Sequence, residues 1–347
     1  MIDCFLLIAV TIAASRLSVG LQMTHSSRRG FARRRACAER CQHQAKHAKS
    51  ADEDGVANHA RDTRVDRGTI VRRTVATWPV GEPFEIWPQM QEITLEAIMR
   101  FVFGPAETDS LRRLHASLRK LTNWMNDPRR LNLLAAAGPS RFAGNNDYRE
   151  MMEPVEAGVL EEVRRRQHDP GYTDGSDIAT MLGEARYEDG SPMTEQDLRD
   201  ELVTLLTDGS SSSLLSWAFE QILRHPEQYA RLRAEVDQGD EDVYLDAVVK
   251  EVMRACPAAP IVVRRLLEPM ELGGYTILSG STVAPCVHLV HRRPGVYPEP
   301  LRVRPERFLE RPAGTYTWIP FGGGVRRCLA ASYAQLLMKQ VIGTVVG

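Results

Sequence analysis

The residues with the densest chemistry lie near the C-terminus, in Phe321-Gly322-Gly323-Gly324-Val325-Arg326-Arg327-Cys328-Leu329-Ala330. A run of glycines lets a backbone approach a large flat partner and take left-handed angles without steric cost. An apolar helical pattern follows, so Cys328 stands just before a helix N-terminus, where the dipole and free N–H groups favour a thiolate. A thiolate held by backbone donors beside a cation and an aromatic ring is what a haem iron needs for O–O cleavage. The plainer alternative is a glycine-rich turn with a buried cysteine. The Gly run and one Cys do not separate the two, but the whole string Phe-x-x-Gly-x-Arg-x-Cys is far more restrictive.

Other chemistry-bearing residues lie upstream. Glu251 and Arg254 are three apart in Tyr244–Arg254, share a helix face and can pair. Alone such a pair says little, because exposed Glu/Arg pairs are common and weak. Pro305-Glu306-Arg307-Phe308 supplies a second arginine. A third stretch, Gly209-Ser210-Ser211-Ser212-Ser213, interrupts an otherwise apolar helical pattern. Glycine costs about 1 kcal/mol in mid-helix relative to alanine, and serines offer the backbone competing hydrogen bonds. A buried helix that breaks its own pattern there has either a local distortion with a purpose or a serine-rich kink with no catalytic role. His288 and His291 are read as polar turn residues rather than metal ligands.

The Cys328 string resembles the haem-binding loop of the cytochrome P-450 monooxygenases. The resemblance implies a proximal iron ligand at Cys328 and a haem-propionate partner at Arg326, with Phe321 and Gly322 also against the cofactor. Ala330 stands where the family usually has Gly. The resemblance extends to Glu251-x-x-Arg254 and Arg307, which in the family form a buried charge network that fixes the proximal side. A planar guanidinium suits that role better than an ammonium. Arg264 resembles the second propionate-binding position, with Arg265 as the neighbouring alternative. In the central helix of the family an Ala-Gly-x-acid-Thr pattern opens a groove for dioxygen and relays protons. Here Asp208 and Gly209 fall on Ala-Gly, Ser211 on the acid and Ser212 on the threonine. A serine hydroxyl can replace a threonine hydroxyl as donor, but not the carboxylate as proton source.

These residues need elements to position them. Apolar spacing predicts helices over Met90–Phe103, Leu111–Trp124, Tyr148–Arg166, Ile178–Leu182, Tyr229–Val236 and Tyr244–Arg254. It also predicts one long helix from Thr194 to Arg224, capped by Thr194 with Asp197 at N3. A helix continues behind Cys328 through Tyr333, Leu336, Leu337 and Val341. Between the motifs the period changes. Ile261–Val263, a hairpin over Glu271–Ile277 around Gly273-Gly274, and Ser281–Val287 read as short strands. The fold class is therefore mostly α with a small β region. The resemblance, which runs from about Trp78 to the end, implies a cytochrome P-450-like fold that is incomplete at both ends.

Composition sets the outer limits. The chain has 347 residues, 43% of them hydrophobic, and a formal net charge of −1. That length suffices for a sizeable core, in one large domain or two smaller ones, and the neutral balance argues against bulk nucleic-acid binding. The six cysteines are scattered, which suits a reducing compartment rather than a disulfide scaffold. Phe5–Ala14 is apolar but too short for a membrane span of about 20 residues. Residues 1–74 read as an atypical, basic, disordered segment, because Ser26–Arg73 carries almost no large apolar side chain to offset its ordering entropy. Cys37, Cys41, His43 and His47 match no usual zinc spacing. Residues 75–347 read as the haem-thiolate catalytic domain.

The resemblance implies a haem b cofactor, O2, a small apolar organic substrate and a ferredoxin or reductase as electron donor, in a cytoplasmic monomer. Two other readings stand beside the monooxygenase. One is a haem-binding but inactive or truncated remnant, and the other is a peroxide-driven relative.

Overall fold

The computed structural model describes residues 64–105, 107–127, 146–168, 177–187, 189–207, 210–239, 242–324, 327–328 and 330–347. Arg326, Asp208, Gly209 and the Cys37, Cys41, His43 and His47 set lie outside them. Helices dominate: α1 (Arg64–Val75), α2 (Ile86–Phe103), α3 (Asp109–Met125), α4 (Asn146–His168), α5 (Ile178–Glu184), α6 (Glu195–Thr207), α7 (Ser210–Arg224), α8 (Pro226–Gln238) and α9 (Val243–Ala255). Four short strands follow: β1 (Arg264–Arg265), β2 (Met270–Leu272), β3 (Tyr275–Ile277) and β4 (Thr282–Val283). The chain then forms α10 (Val287–Val290), α11 (Arg307–Glu310) and α12 (Ala331–Val346). The class is the expected one, mostly helical with a small β region.

The helices sit where apolar side chains recur at helical spacing. Leu111, Leu114, Leu118, Leu121 and Met125 form the buried stripe of α3, which lies along α4. α7 is central and packs on α2, α9 and α12. Their ends are tied by specific caps. Thr108 Oγ1 accepts the Leu111 N–H at 3.3 Å, and Thr194 Oγ1 accepts the Asp197 N–H at 3.1 Å. Two orphan donors at the start of α9, Tyr244 N and Leu245 N, donate to the Glu235 carboxylate at 2.7 and 2.9 Å.

Three expectations need correction. Order begins before Thr74: the chain is helical from Arg64, with Ile70 and Val71 fully buried against α2 and α12. Two apolar residues meeting a preformed groove outweigh the polar composition around them. The predicted helix Thr194–Arg224 is described as α6 and α7, helical up to Thr207 and again from Ser210, with Asp208 and Gly209 outside the described residues. Ile261–Val263 forms only an isolated bridge from Ile261 to Cys286. Ser281–Val287 is a two-residue strand that turns into α10. In both segments prolines nearby (Pro257, Pro260 and Pro285) limit ladder formation.

The hairpin is as expected. β2 pairs antiparallel with β3, Leu272 opposite Tyr275. Gly273 and Gly274, at φ +59° and +83°, make the turn. A second antiparallel pair sets Arg264 opposite Val283.

Candidate functional site

Glu251 and Arg254 leave α9 on one buried face; the carboxylate and guanidinium are shielded completely from solvent. Arg254 Nε donates to Glu251 Oε2 at 2.7 Å and Nη2 to Oε1 at 2.9 Å, a two-point fork. Arg307 Nε reaches the same carboxylate at 3.1 Å, and the Arg304 backbone N–H at 2.7 Å. One carboxylate thus serves two arginines. The remaining guanidinium donors go to main-chain carbonyls. Arg254 Nη1 donates to His291 O and Pro300 O, both at 2.9 Å. Arg307 donates to Pro298 O at 3.0 Å and Arg302 O at 3.1 Å. The network therefore stitches irregular chain from residue 291 to 307 onto α9, with the Tyr297 ring 5.3 Å from the Arg254 guanidinium.

The segment that leads into the Cys328 loop is held residue by residue. Tyr297 Oη donates to Thr317 O at 3.0 Å. Trp318 Nε1 donates to Lys250 O on α9 at 3.1 Å. Ile319 N donates to His291 Nε2 at 2.9 Å. Aromatic edges continue the line, with Phe308 to Trp318 and Trp318 to Phe321 at 6.3 and 6.1 Å between centroids.

The loop itself turns on glycine. Gly322 and Gly324 have φ of +72° and +64°, which side-chain-bearing residues rarely adopt. A Cβ added at Gly322, Gly323 or Gly324 would meet only open space, so the backbone offers a bare surface. Cys328 closes the loop: its N–H donates to Phe321 O at 3.0 Å. Its thiol is half-buried and in no disulfide, and α12 starts three residues later. The donor set fits haem: a single soft sulfur ligand beside an uncovered glycine backbone suits an iron whose equatorial positions a macrocycle already fills.

Other expected site residues fall as follows. Phe321 and Gly322 line the loop, half-buried. Arg264 is exposed on β1, with Nη1 on its neighbour's carbonyl, Val263 O, at 3.0 Å. Ser211 and Ser212 lie in the first turn of α7. Ser212 is 2% exposed, and its carbonyl accepts the Ser216 hydroxyl at 2.8 Å. His291 lies in a turn, as expected, but is fully buried there, 0% exposed. Burial lowers its pKa to about 4. Sequence reasoning missed it because a histidine after a short apolar run carries no periodic signal.

A family model for cytochrome P450 matches residues 73–347. The chain belongs to the cytochrome P450 family. Putative cytochrome P450 135B1 of Mycobacterium tuberculosis is 39% identical over 287 residues, which is 79% of this chain and 59% of that protein. Putative cytochrome P450 138 of the same organism is 34% identical over 297 residues, 82% of this chain and 64% of the relative. The chain thus spans about 59% to 64% of the length of these curated P450 relatives. In fold it is similar to the retinoic acid-bound cyanobacterial CYP120A1, with a TM-score of 0.71 at 21% identity over 85% of this chain and 70% of that one. It is also similar to the haem domain of cytochrome P450DA, with a TM-score of 0.67 at 21% identity over 83% and 67% of the two chains. P450 proteins carry haem b on a thiolate. Among the described residues no helix is long and apolar enough to cross a membrane.

Proposed function

We propose that this P450 chain carries the haem-thiolate part of a monooxygenase, with Cys328 as the iron ligand. The observation that supports it most is the clamped loop, a half-buried thiol in no disulfide presented beside bare glycine backbone and anchored through Thr317, Trp318 and Ile319 to α9 and its surroundings. When bound, haem supplies the dioxygen chemistry, in which one oxygen atom enters an apolar organic substrate. The protein's part is to hold and orient. Glu251, Arg254 and Arg307 fix the proximal chain and touch no reacting atom. Arg326 and Arg264 balance the propionates, with Arg265 as the alternative to the latter. Phe321 and Gly322 bound the ring's proximal side. Ser212, with Ser211, holds and passes protons on the distal side. Arg327, exposed beside Cys328, suits an acidic ferredoxin or reductase. The setting is a cytoplasmic monomer that does not bind nucleic acid.

A specific observation favours a second reading. Ser211 stands where the family's relay has an acid, and peroxide already carries the oxygen, the two electrons and the two protons that would otherwise come from O2, the redox partner and the relay. The test loads the full chain with hemin and supplies apolar probes, such as medium-chain fatty acids, under 18O2 with a ferredoxin system, or with hydrogen peroxide. One labelled atom in the product with the ferredoxin system is the expected result. Product with peroxide alone selects the second reading. No haem uptake overturns both and leaves a remnant.

A further inference from the structure

Among the described residues Tyr297 reaches from the buried charge network to the chain entering the Cys328 loop by a ring contact and one hydrogen bond, whereas His291 does so by hydrogen bonds at both ends. It and Arg254 clasp each other reciprocally. Arg254 Nη1 donates to the His291 carbonyl at 2.9 Å, and His291 Nδ1 bonds the Arg254 carbonyl at 3.2 Å. A carbonyl only accepts, so the proton sits on Nδ1. The other ring nitrogen accepts the Ile319 N–H at 2.9 Å, so Nε2 carries no proton. The two partners together specify one neutral tautomer. The ring is 0% exposed, and the Tyr297 ring meets it edge-on at 6.3 Å.

We infer that His291 is a positioning residue for the thiolate loop, acting through its Nε2 acceptor on the Ile319 amide. This rests on the reading of Cys328 as iron ligand. The reason is geometric. Trp318 and Thr317 are held through a side chain and a carbonyl, whereas His291 holds a backbone N–H two residues before Phe321. Phe321 O in turn accepts the Cys328 N–H at 3.0 Å. Tension or slack at Ile319 therefore passes through Phe321 to the sulfur's own residue. The Glu251–Arg254 fork keeps Arg254 still, Arg254 fixes His291, and His291 fixes Ile319.

Reach separates this role from simple filling of space. Glutamine places an acceptor oxygen where Nε2 stands; asparagine reaches only the Nδ1 position. His291→Gln should keep the Ile319 bond, and His291→Asn should lose it while still facing the Arg254 carbonyl. The test uses the full chain, first without haem. Amide hydrogen exchange over residues 319–328 should quicken about tenfold in His291→Asn and stay near wild type in His291→Gln, as expected for one lost hydrogen bond in the segment. Nitrogen NMR of the wild type should show protonated Nδ1 and bare Nε2. With hemin, the reduced carbonmonoxy form of His291→Asn should lose the thiolate-type Soret position in part, and His291→Gln should restore it. An Nε2–H tautomer, or equal exchange in the two variants, overturns the inference. Should His291→Asn fail to fold, the tautomer and the exchange of His291→Gln decide. A wild type without a thiolate-type Soret overturns the parent reading of Cys328, while the haem-free exchange still judges His291.

Discussion

Among the described residues two buried charge networks stand out, and they are built with opposite excess charge. Beneath the Cys328 loop one carboxylate, Glu251, faces two arginines, Arg254 and Arg307. At the far ends of α2 and α4 one arginine, Arg166, faces two carboxylates, Glu162 at 3.2 Å and Asp177 at 2.7 Å. The first network spends its surplus donors on main-chain carbonyls of irregular chain. The second satisfies its surplus acceptors with the Thr180 N–H on Asp177 at 2.8 Å and the Ser110 hydroxyl on Glu162 at 3.4 Å. Arg166 Nη2 also donates to Phe103 O at 2.7 Å, at the C-terminus of α2, while Asp177 caps the N-terminus of α5. Both placements agree with the helix dipoles. The difference teaches that one device does two jobs. Surplus arginine pins loops, which have unpaired carbonyls to offer. Surplus carboxylate pins helix starts, which have unpaired N–H groups.

The comparison is broken most severely by Glu251→Gln. Two guanidiniums then lie buried without a countercharge, at a cost of about 5 kcal/mol in denaturant unfolding, and thiolate ligation of added hemin should disappear with it. Arg166→Met should cost less, about 3 kcal/mol, and its folded fraction should keep the thiolate-type Soret position, because that network pins helix ends remote in sequence from the loop. A normal spectrum in Glu251→Gln, or a lost one in folded Arg166→Met, would erase the distinction.

The next effect is one of pH. His291 is held neutral, its pKa lowered from 6.5 to about 4 chiefly by burial, with Arg254, His288 and Arg292 also facing it. In the unfolded chain it titrates normally and binds more protons below pH 6.5. Its contribution is therefore complete above that pH, falls as pH drops, and is gone below about 4, amounting to about 2 kcal/mol by pH 5. The half-buried carboxyls of Glu156 and Asp200, both raised first by desolvation, pull the other way in the same window. The difference between wild type and His291→Gln across pH isolates the histidine. Equal slopes for the two would contradict it. Smaller again is Thr108→Ala, which removes the cap of α3 and should cost about 1 kcal/mol in thermal unfolding. Arg113→Ala at the exposed pair with Glu161 should cost under about 0.5 kcal/mol.

The two networks also differ in how they could be read from sequence. Glu251, Arg254 and Arg307 stand in motifs that resemble a family, and their buried pairing is as the resemblance implies. Glu162 and Arg166 are four apart on a helix rich in charged residues, yet Glu162 is 0% exposed. Periodicity cannot separate a charged residue that faces water from one that meets Asp177, because the deciding partner lies 11 residues on, at the N-cap of another helix. His291 was illegible for the same reason, since both its bonds are to backbone atoms brought in by the fold. Amphipathic helices such as α3 were legible because their stripe is local. The start of α1 was not, because Ile70 and Val71 are buried by α2 and α12 and not by their own periodicity.

Sulfur ligation by Cys328 is the claim on which the rest depends. The most direct measurement is the absorption spectrum of the hemin-loaded chain, reduced and under carbon monoxide, beside that of Cys328→Ala. A thiolate-type Soret band is expected in the wild type, and its complete loss in the variant. The same band in both, or a nitrogen-ligated spectrum in the wild type, would contradict it.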